Sequence, residues 1–196
     1  MRCWWAGDDP LYRRYHDSEW GHPIADDRHL FELLSLEAFQ SGLSWLTILR
    51  KRDGFRAAFS KFDLEVVATY DERDVERLLG DAGIVRNRAK ITATINNASR
   101  CLELVQEKGS FAEYVWGWAP APASRPKEID HVTLLAMATT PESTTLAKDL
   151  KKRGWRHVGP TTAYSFMQSA GLVNDHLEGC DFREEVEEAR RAAGHG

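Results

Sequence analysis

Apolar side chains along this chain of 196 residues recur at helical intervals. In the segment DDRHLFELLSLEAF, Leu30, Leu33 and Leu34 fall on one helix face, and acidic residues stand at its start as cap candidates. Similar patterns predict helices in WLTILRKR, ERDVERLLG, NRAKITATINNASRCLELVQEKG, SFAEYVWGW, PESTTLAKDLKKRG and PTTAYSFMQSAG. No segment sustains the alternation of apolar and polar residues that marks a strand. The sequence therefore predicts an all-α protein.

Boundary residues agree with this pattern. Ser44 and Asp71 stand before two of the predicted helices as N-caps, and Pro160 occupies a first-turn position. Gly109 stands where the longest predicted helix must stop. The stretch from residue 119 to about residue 141 begins with APAPASRPK and is the one obvious connector.

Composition narrows the class of protein. Apolar residues make up 42% of the chain and charged residues 29%, which is ordinary for a soluble globular protein. The sequence contains neither a run of about 18 apolar residues nor a signal peptide, so we expect a cytoplasmic protein without membrane contact. Three cysteines make a disulfide framework improbable and favour a metal site or a buried thiol. The net charge of −4 means that nucleic-acid binding must depend on local basic patches.

One candidate metal site involves both ends of the chain. His176 and Cys180 are four residues apart, a spacing that lets both reach one ion. Cys3 and His16 form a second pair near the N-terminus, and the two pairs together would make a closed tetrahedral zinc site. Spacing alone leaves open that the pairs are unrelated. Cys101 lies among leucines of a predicted helix and is expected to be a buried thiol.

A second candidate feature is a helical hairpin in LKKRGWRHVGPTTAYSFMQSAG. Its turn contains Gly159 and precedes a helix N-terminus, where free backbone N–H groups suit a phosphate. Lys151, Lys152 and Arg153 add a nonspecific attraction for DNA. As a generic pattern, it favours an ordinary αα-hairpin with a solvated charge run. The more specific form VGPTTA resembles the helix-hairpin-helix of base-excision DNA glycosylases.

Several motifs in order resemble one family. YHDSEWG at 15–21, LEAFQSGLSWLTILRKR at 36–52, DAGIVRNRAKI at 81–91 and YSFMQSAGLVNDHLEGC at 164–180 are similar to the 3-methyladenine DNA glycosylase I family, called Tag. The resemblance spans about residues 3 to 180. It implies one glycosylase domain over 1–182, of the helix-hairpin-helix glycosylase fold with two helical lobes, and its hairpin lies at about 146–175. Residues 183–196 form a charged tail, expected to be a frayed helix or disordered.

The resemblance also implies a structural metal. In the family a zinc ion held by Cys-His and His-Cys pairs ties the chain ends together. By position, the matching ligands are Cys3, His16, His176 and Cys180, with one Zn2+ per chain. A catalytic zinc hydrolase is a weaker alternative, because four protein ligands leave no open coordination position.

Glu37 is the candidate for chemistry. It stands seven residues after Leu30, four after Leu33 and three after Leu34, so it lies on the apolar face of its helix. A carboxylate there must accept hydrogen bonds from nearby donors or have a shifted pKa, which makes it a candidate site residue. The alternative interpretation is that Glu37 is a residue without a special role at the rim of the core, near the helix end. The resemblance implies that Glu37 reads the polar edge of 3-methyladenine as the catalytic residue. It also implies that Trp45 stacks on the base and Tyr15 lines the pocket.

The segment VNDH departs from the commoner glycosylase pattern V-D-x-H. Asn174 occupies the position of the usual catalytic aspartate, and Asp175 is displaced by one. Thr161 stands in the hairpin where lyase members carry a lysine, so a monofunctional hydrolase is expected. An N3-alkylated adenine is already cationic, and differential binding can suffice to break its glycosidic bond. Asp175 as the catalytic carboxylate is a minor alternative.

DNA contacts are expected on two surfaces. Gly42 and Leu43 in SGLSW can form an apolar wedge for the gap left by an extruded base, or an ordinary interhelical turn. Lys152, Gly159 and Thr161 of the hairpin are expected at the phosphates. The expected partner is double-stranded DNA containing alkylated adenine, with free 3-methyladenine as the product. The enzyme is expected to be a monomer acting at the nucleoid. The alternative from another class is a zinc-stabilised DNA-binding protein without catalysis.

Overall fold

A computed structural model of the protein describes residues 1–126 and 128–195. Lys127 of the predicted connector and Gly196 at the end of the predicted tail lie outside the described residues. The described residues form helices and no strand, which confirms the all-α class. The α-helices are α1 (Pro10–Ser18), α2 (Asp27–Gln40), α3 (Trp45–Ala58), α4 (Leu64–Val67), α5 (Glu72–Gly80), α6 (Arg88–Lys108), α7 (Phe111–Trp116), α8 (His131–Ala136), α9 (Pro141–Lys152), α10 (Pro160–Ser169) and α11 (Arg183–Ala192).

Helix boundaries lie where the capping residues stand. The side chain of Ser44 accepts a hydrogen bond from Thr47 N and starts α3. Asp71 forms a capping box at the start of α5, and Pro160 is in the first turn of α10. Gly109 ends α6 with a φ of 91°, a conformation that a residue with a side chain rarely adopts.

Helix α2 runs through the middle of the molecule. Its residues from Leu30 to Phe39 are all buried, because α3, α6, α7 and α10 pack around it. Phe39 packs against the rings of Phe55 and Phe59, and Phe59 in turn stacks on Phe62. A helix buried on most sides can present a polar side chain only to an internal cavity, and Glu37 is such a side chain.

The predicted connector contains a helix that the apolar pattern did not indicate. Helix α8 begins after Asp130, whose side chain accepts a hydrogen bond from Thr133 N. None of its residues is buried, and Val132 and Leu135 are 75% and 65% exposed. With six residues and no core-facing stripe, α8 has no periodic signal, and the cap at Asp130 was the one available cue.

The tail is a helix that is attached to the rest of the chain. Val186 is fully buried, and Arg190 donates to the carbonyl oxygen of Gly171. The side chain of Asn174 donates to the carbonyl oxygen of Arg183 and to the carboxylate of Glu187, both at 3.0 Å. Helix α11 therefore supports the loop that follows α10.

Close backbone packing joins the N-terminal segment to the same loop. Gly171 has a φ of 79°, and a Cβ placed there would lie 2.6 Å from backbone atoms of His22 and Pro23. Ile24 N donates to Ala170 O at 3.1 Å. Only glycine permits this approach, which holds the segment after α1 against the segment after α10. No helix of the described residues is long and apolar enough to cross a bilayer.

Candidate active site

A cavity of about 260 Å3 lies where α1, α2, α8 and α10 meet. Aromatic residues are the largest group in its lining, and several polar side chains stand among them. The lining residues are Trp4, Trp5, Tyr12, Tyr15, Trp20, Glu37, Gln40, Trp45, Leu134, Met137, Ala138, Thr161, Tyr164, Ser165, Gln168 and Ser169. A concave, largely apolar site with a few placed polar groups is the usual form of a site for a small planar ligand.

Glu37 is the buried carboxyl group of this cavity. Its side chain is 4% exposed, and its Oε1 accepts a hydrogen bond of 2.7 Å from the hydroxyl of Ser169. Burial raises the pKa of Glu37 to about 8, and the hydrogen bond from Ser169 acts in the opposite direction. The carboxyl group is therefore largely neutral at pH 7, and a cationic or N–H-bearing ligand favours its ionised form.

Two aromatic rings stand beside Glu37 as the sequence predicted. The centroids of Tyr15 and Trp45 are 5.5 Å apart, with the rings tilted by 50°. Burial raises the pKa of Tyr15 well above its ordinary value, so its hydroxyl keeps its proton. The Tyr15 hydroxyl and the Trp45 indole N–H are buried without a hydrogen-bond partner among the described residues. Unpaired buried polar atoms are costly, and a ligand with polar edges is one way to satisfy them.

Other aromatic residues of the cavity were missed from the sequence. Tyr12 precedes Tyr15 by three residues on α1, a spacing that places both on one face. The Trp5 ring packs 5.1 Å from that of Tyr12 and 4.8 Å from that of Trp20. The spacing of Tyr12 and Tyr15 was the available signal, whereas Trp5 lies in a short 3-10 turn without periodicity.

Asp175 is already occupied by protein partners. Its carboxylate forms an ion pair with Arg125, accepts a hydrogen bond of 2.5 Å from the Tyr164 hydroxyl and one of 2.7 Å from Gln168 Nε2. Tyr164 and Gln168 line the cavity, and Asp175 lies behind them. A carboxylate with this set of donors is held in place, and its oxygens are already engaged by protein groups. Sequence reasoning missed this network because its members come from separate segments.

The predicted wedge lies beside the cavity. Gly42 and Leu43 form the turn between α2 and α3, between the lining residues Gln40 and Trp45. Gly42 has a φ of 85°, and Leu43 is 41% exposed although it is apolar. Lys90 Nζ fixes this turn by donating to Phe39 O at 2.8 Å and to Ser41 O at 2.6 Å. Lys90 thus caps the C-terminal end of α2.

Helices α9 and α10 form the predicted hairpin. Gly159 is the N-cap of α10, and among the described residues no side chain caps this helix. A Cβ added at Gly159 would meet no atom within 4 Å, so space is open in front of the first backbone N–H groups of α10. Lys152, at the end of α9, and Thr161, in the first turn of α10, are exposed. Arg153 differs, because it pairs with Glu107 and Asp149.

The four predicted metal ligands converge. The ligand atoms of Cys3, His16, His176 and Cys180 all lie within 4.8 Å of one another, and the residues are buried. Cys180 Sγ is 3.6 Å from His16 Nε2 and 3.4 Å from His176 Nδ1, and Cys3 Sγ is 3.9 Å from His176 Nδ1. Ligand atoms around a tetrahedral zinc ion lie about 3.3–3.8 Å apart, given usual bond lengths. The group could therefore hold a metal ion.

Neighbouring groups orient both imidazole rings toward the centre of this group. His16 Nδ1 lies 2.8 Å from Asp17 Oδ1, and Arg2 holds the same carboxylate. His176 Nε2 lies 3.0 Å from the carbonyl oxygen of Trp20. Each ring thus directs its N–H outward and its other nitrogen inward, the usual arrangement around a metal. Burial lowers the pKa of His176 to about 4, which keeps the ring neutral at physiological pH.

Comparisons with known proteins point to one family. The family model for methyladenine glycosylase matches residues 5–184. DNA-3-methyladenine glycosylase 1 of Escherichia coli K12 is 49% identical over 180 residues, which cover 91% of this chain and 95% of that protein. DNA-3-methyladenine glycosylase of Haemophilus influenzae is 41% identical over 180 residues, covering 91% and 96%. The structure of 3-methyladenine DNA glycosylase I (TAG) from Staphylococcus aureus superposes with a TM-score of 0.85 at 37% identity, covering 93% of this chain and 96% of that one.

Proposed function

The chain belongs to the methyladenine glycosylase family, and from this premise we propose how its buried aromatic cavity carries out the family's reaction. The protein is a DNA-3-methyladenine glycosylase, which hydrolyses the N-glycosidic bond of 3-methyladenine in alkylated DNA and initiates base excision repair. The observation that carries the proposal is the carboxyl group of Glu37, buried in a cavity with the rings of Tyr15 and Trp45.

In the proposed complex the alkylated base leaves the DNA stack and enters the cavity. Trp45 stacks on the base and Tyr15 lines the pocket, where its hydroxyl has free hydrogen-bonding capacity for a polar edge. Glu37 is the catalytic residue and accepts a hydrogen bond from the exocyclic amine. Since N3-alkylated adenine in DNA is cationic, an ionised Glu37 in a dry site binds it far more strongly than it binds a neutral base.

Bond cleavage then requires little further assistance. The C1′–N9 bond breaks with its electron pair passing to N9, which neutralises the base, and water adds at C1′ with loss of a proton. Asp175 is engaged by Arg125, Tyr164 and Gln168, and Asn174 bonds α11, so neither is free to activate a neutral leaving group. With Thr161 in the hairpin rather than a lysine, the reaction ends at an abasic site without strand cleavage.

We propose that DNA is held by a helix-hairpin-helix formed by α9 and α10. The open N-terminus of α10 at Gly159, with the exposed Thr161 and Lys152, suits one backbone phosphate. Gly42 and Leu43, in the turn between the lining residues Gln40 and Trp45, are proposed to fill the gap left by the extruded base.

The metal is proposed to be one structural zinc ion per chain, tying the two chain ends of a two-lobed glycosylase fold. Two thiols and two neutral imidazoles suit Zn2+ and leave no open position for substrate. Burial raises the pKa of the Cys3 thiol to about 12, and the positive charge of the ion is what deprotonates such a thiol. Its role is to fix the loop between α10 and α11.

A single chain contains every group that this mechanism uses. We therefore propose a monomer that acts on double-stranded DNA at the nucleoid, in the cytoplasm, and releases free 3-methyladenine. A zinc-stabilised DNA-binding protein without catalysis is the alternative. It would not require a buried carboxyl group in an aromatic cavity, so the site favours the glycosylase.

The selectivity of base release from alkylated DNA tests the role of Glu37. A carboxylate acceptor favours a cationic base that presents an N–H donor, which 3-methyladenine does. In 7-methylguanine, also cationic, a carbonyl oxygen replaces that amine. We expect dimethyl-sulfate-treated DNA to release 3-methyladenine and little 7-methylguanine, as separated by chromatography, and Glu37→Gln to slow release. Comparable release of both bases would show that Glu37 does not read the base in this way.

A further inference from the structure

The hydroxyl group of Ser169 has two acceptors and one proton. Ser169 is the last residue of α10 and is 4% exposed. Its Oγ lies 2.7 Å from Glu37 Oε1 and 2.8 Å from the carbonyl oxygen of Ser165. Both distances are those of good hydrogen bonds, yet a serine hydroxyl can donate only one at a time.

Which acceptor receives the proton depends on the state of Glu37. When the carboxyl group is ionised, the Ser169 hydroxyl donates to it, because a charged acceptor forms the stronger bond. When the carboxyl group is protonated, Glu37 donates to Ser169 Oγ, and the serine proton turns to the carbonyl of Ser165. Both states are fully bonded, and the change needs only rotation of one hydroxyl.

We propose that Ser169 is a positioning residue that holds Glu37 in one orientation and lets it alternate between a neutral form in the empty cavity and an ionised form with the cationic base. This inference rests on the proposed function, and it adds that Ser169 influences the ionisation of Glu37. Without the hydroxyl of Ser169, the ionised form of Glu37 loses its protein donor, since Glu37 has no other hydrogen-bond donor among the described residues.

The charge and proton balance follows the reaction. As the cationic base enters, Glu37 loses its proton to solvent and Ser169 turns its hydroxyl from Ser165 O to the carboxylate. Cleavage of the C1′–N9 bond leaves the electron pair on N9, so the base becomes neutral while it is still in the cavity. The carboxylate then takes a proton from solvent and Ser169 turns back. The loss of attraction at this point favours release of 3-methyladenine.

Among the described groups that line the cavity, Glu37 is the one expected to change charge near neutral pH. Burial raises the pKa of Tyr12 to about 12 and those of Tyr15 and Tyr164 further, so all three phenols stay neutral. Trp45 and Gln168 do not titrate. Behind them, Asp175 is paired with Arg125, and Lys90 caps the end of α2. A neighbouring cavity that Ser169 also borders contains Glu19, His22, Asp26, His29, Glu32 and Arg52.

The test is the pH profile of 3-methyladenine release by Ser169→Ala. Rates are measured with DNA below saturation, because these report groups of the free enzyme. We expect a profile shifted upward by about one pH unit, with release about tenfold slower at pH 7 and about half that of wild type at pH 9. Ser35→Ala is the matched control, since Ser35 is a buried serine of α2 that does not line the cavity. Its profile should equal that of wild type.

A double variant separates Glu37 from the neighbouring histidines. In a Glu37→Gln background, Ser169→Ala should no longer shift the profile. Either a Ser169→Ala profile that superimposes on wild type or an equal loss at every pH would overturn the inference, the second because it indicates packing alone. Wild-type protein that releases no 3-methyladenine would instead overturn the proposed function.

A measurement on wild-type protein does not depend on how the variants fold. The probe is 3,9-dimethyladeninium, in which a methyl group stands for the sugar carbon and the positive charge is permanent. Calorimetry at pH 7 in two buffers of different ionisation enthalpy counts the protons released on binding. We expect most of one proton per bound cation. Binding without proton release would show that Glu37 is already ionised in the empty cavity, and the inference would fail.

Discussion

Glu37→Gln is expected to stabilise the folded protein in a pH-dependent way. The carboxyl group is 4% exposed and its pKa is about 8, against 4.5 for an exposed glutamate. Since the folded-state pKa is raised, the stabilising effect of Glu37 is fully present below pH 4.5 and is lost as pH rises to about 8. Glutamine keeps the shape and the acceptor for Ser169, and it has no charge to bury.

The size of this change in the free energy of unfolding follows from the shift in the pKa of Glu37. Each pKa unit corresponds to about 1.4 kcal/mol, so wild type loses about 3 kcal/mol by pH 7 and about 5 kcal/mol above pH 8. Proteins of this size have a total free energy of unfolding of about 5–15 kcal/mol, so the change is a substantial fraction.

The assay is urea unfolding of both proteins at pH 5, 7 and 8.5. The quantity of interest is the difference in free energy of unfolding between variant and wild type, in which other titrating groups cancel. This difference should grow by about 4 kcal/mol between pH 5 and 8.5. Glu188→Gln, at an exposed position of α11, is the control and should give a small, pH-independent difference. A flat difference for Glu37→Gln would refute the claim that burial holds Glu37 in its neutral form.

Two further predictions concern the metal and the hairpin. Elemental analysis of protein purified without chelator should find one zinc per chain, and Cys180→Ser should lower the unfolding midpoint more than the activity of the folded fraction; protein without zinc would contradict the site. Gly159→Asp introduces a good N-cap into open space, so it should leave stability intact or raise it while weakening binding to abasic-site DNA by charge repulsion. Lys152→Ala should weaken that binding and reduce its salt dependence by about one unit of slope, and binding equal to wild type at several salt concentrations would remove the hairpin as the DNA anchor.

Local features were predictable where spacing or capping determines them. The positions of Leu30, Leu33 and Leu34 place Glu37 on a buried face, and the structure shows that carboxyl group in the cavity. The all-α class and the family were likewise accessible from the sequence and are confirmed. The pairing of His176 with Cys180 was readable as a local spacing. Whether this pair shares one site with Cys3 and His16 depends on the fold, and the resemblance to the family indicated that it does.

The remaining features depend on tertiary contacts without a local signal. Ser169 matters because the end of α10 meets the middle of α2, and nothing near it in sequence indicates this. Asp175 gains its partners from a loop and from α10. Helix α11 looked like a charged tail, because its buried residues are one valine and one arginine rather than an apolar stripe. The burial of Arg190 could not be predicted from the sequence, because it depends on the carbonyl oxygen of Gly171, which accepts a hydrogen bond from Arg190 in the folded chain.

The convergence of both chain ends on one cluster also orders events during synthesis. His16 and Cys180 are separated by 164 residues, and Cys3 and His176 by 173. A ribosome adding about 5–20 residues per second takes roughly 10–30 s to make that stretch. During this time the first two ligands are present without the last two, and two ligands do not hold an ion firmly. Tight binding of the proposed zinc ion would therefore require that the chain through Cys180 has emerged, and a chain that ends before His176 would lack two of the four proposed ligands.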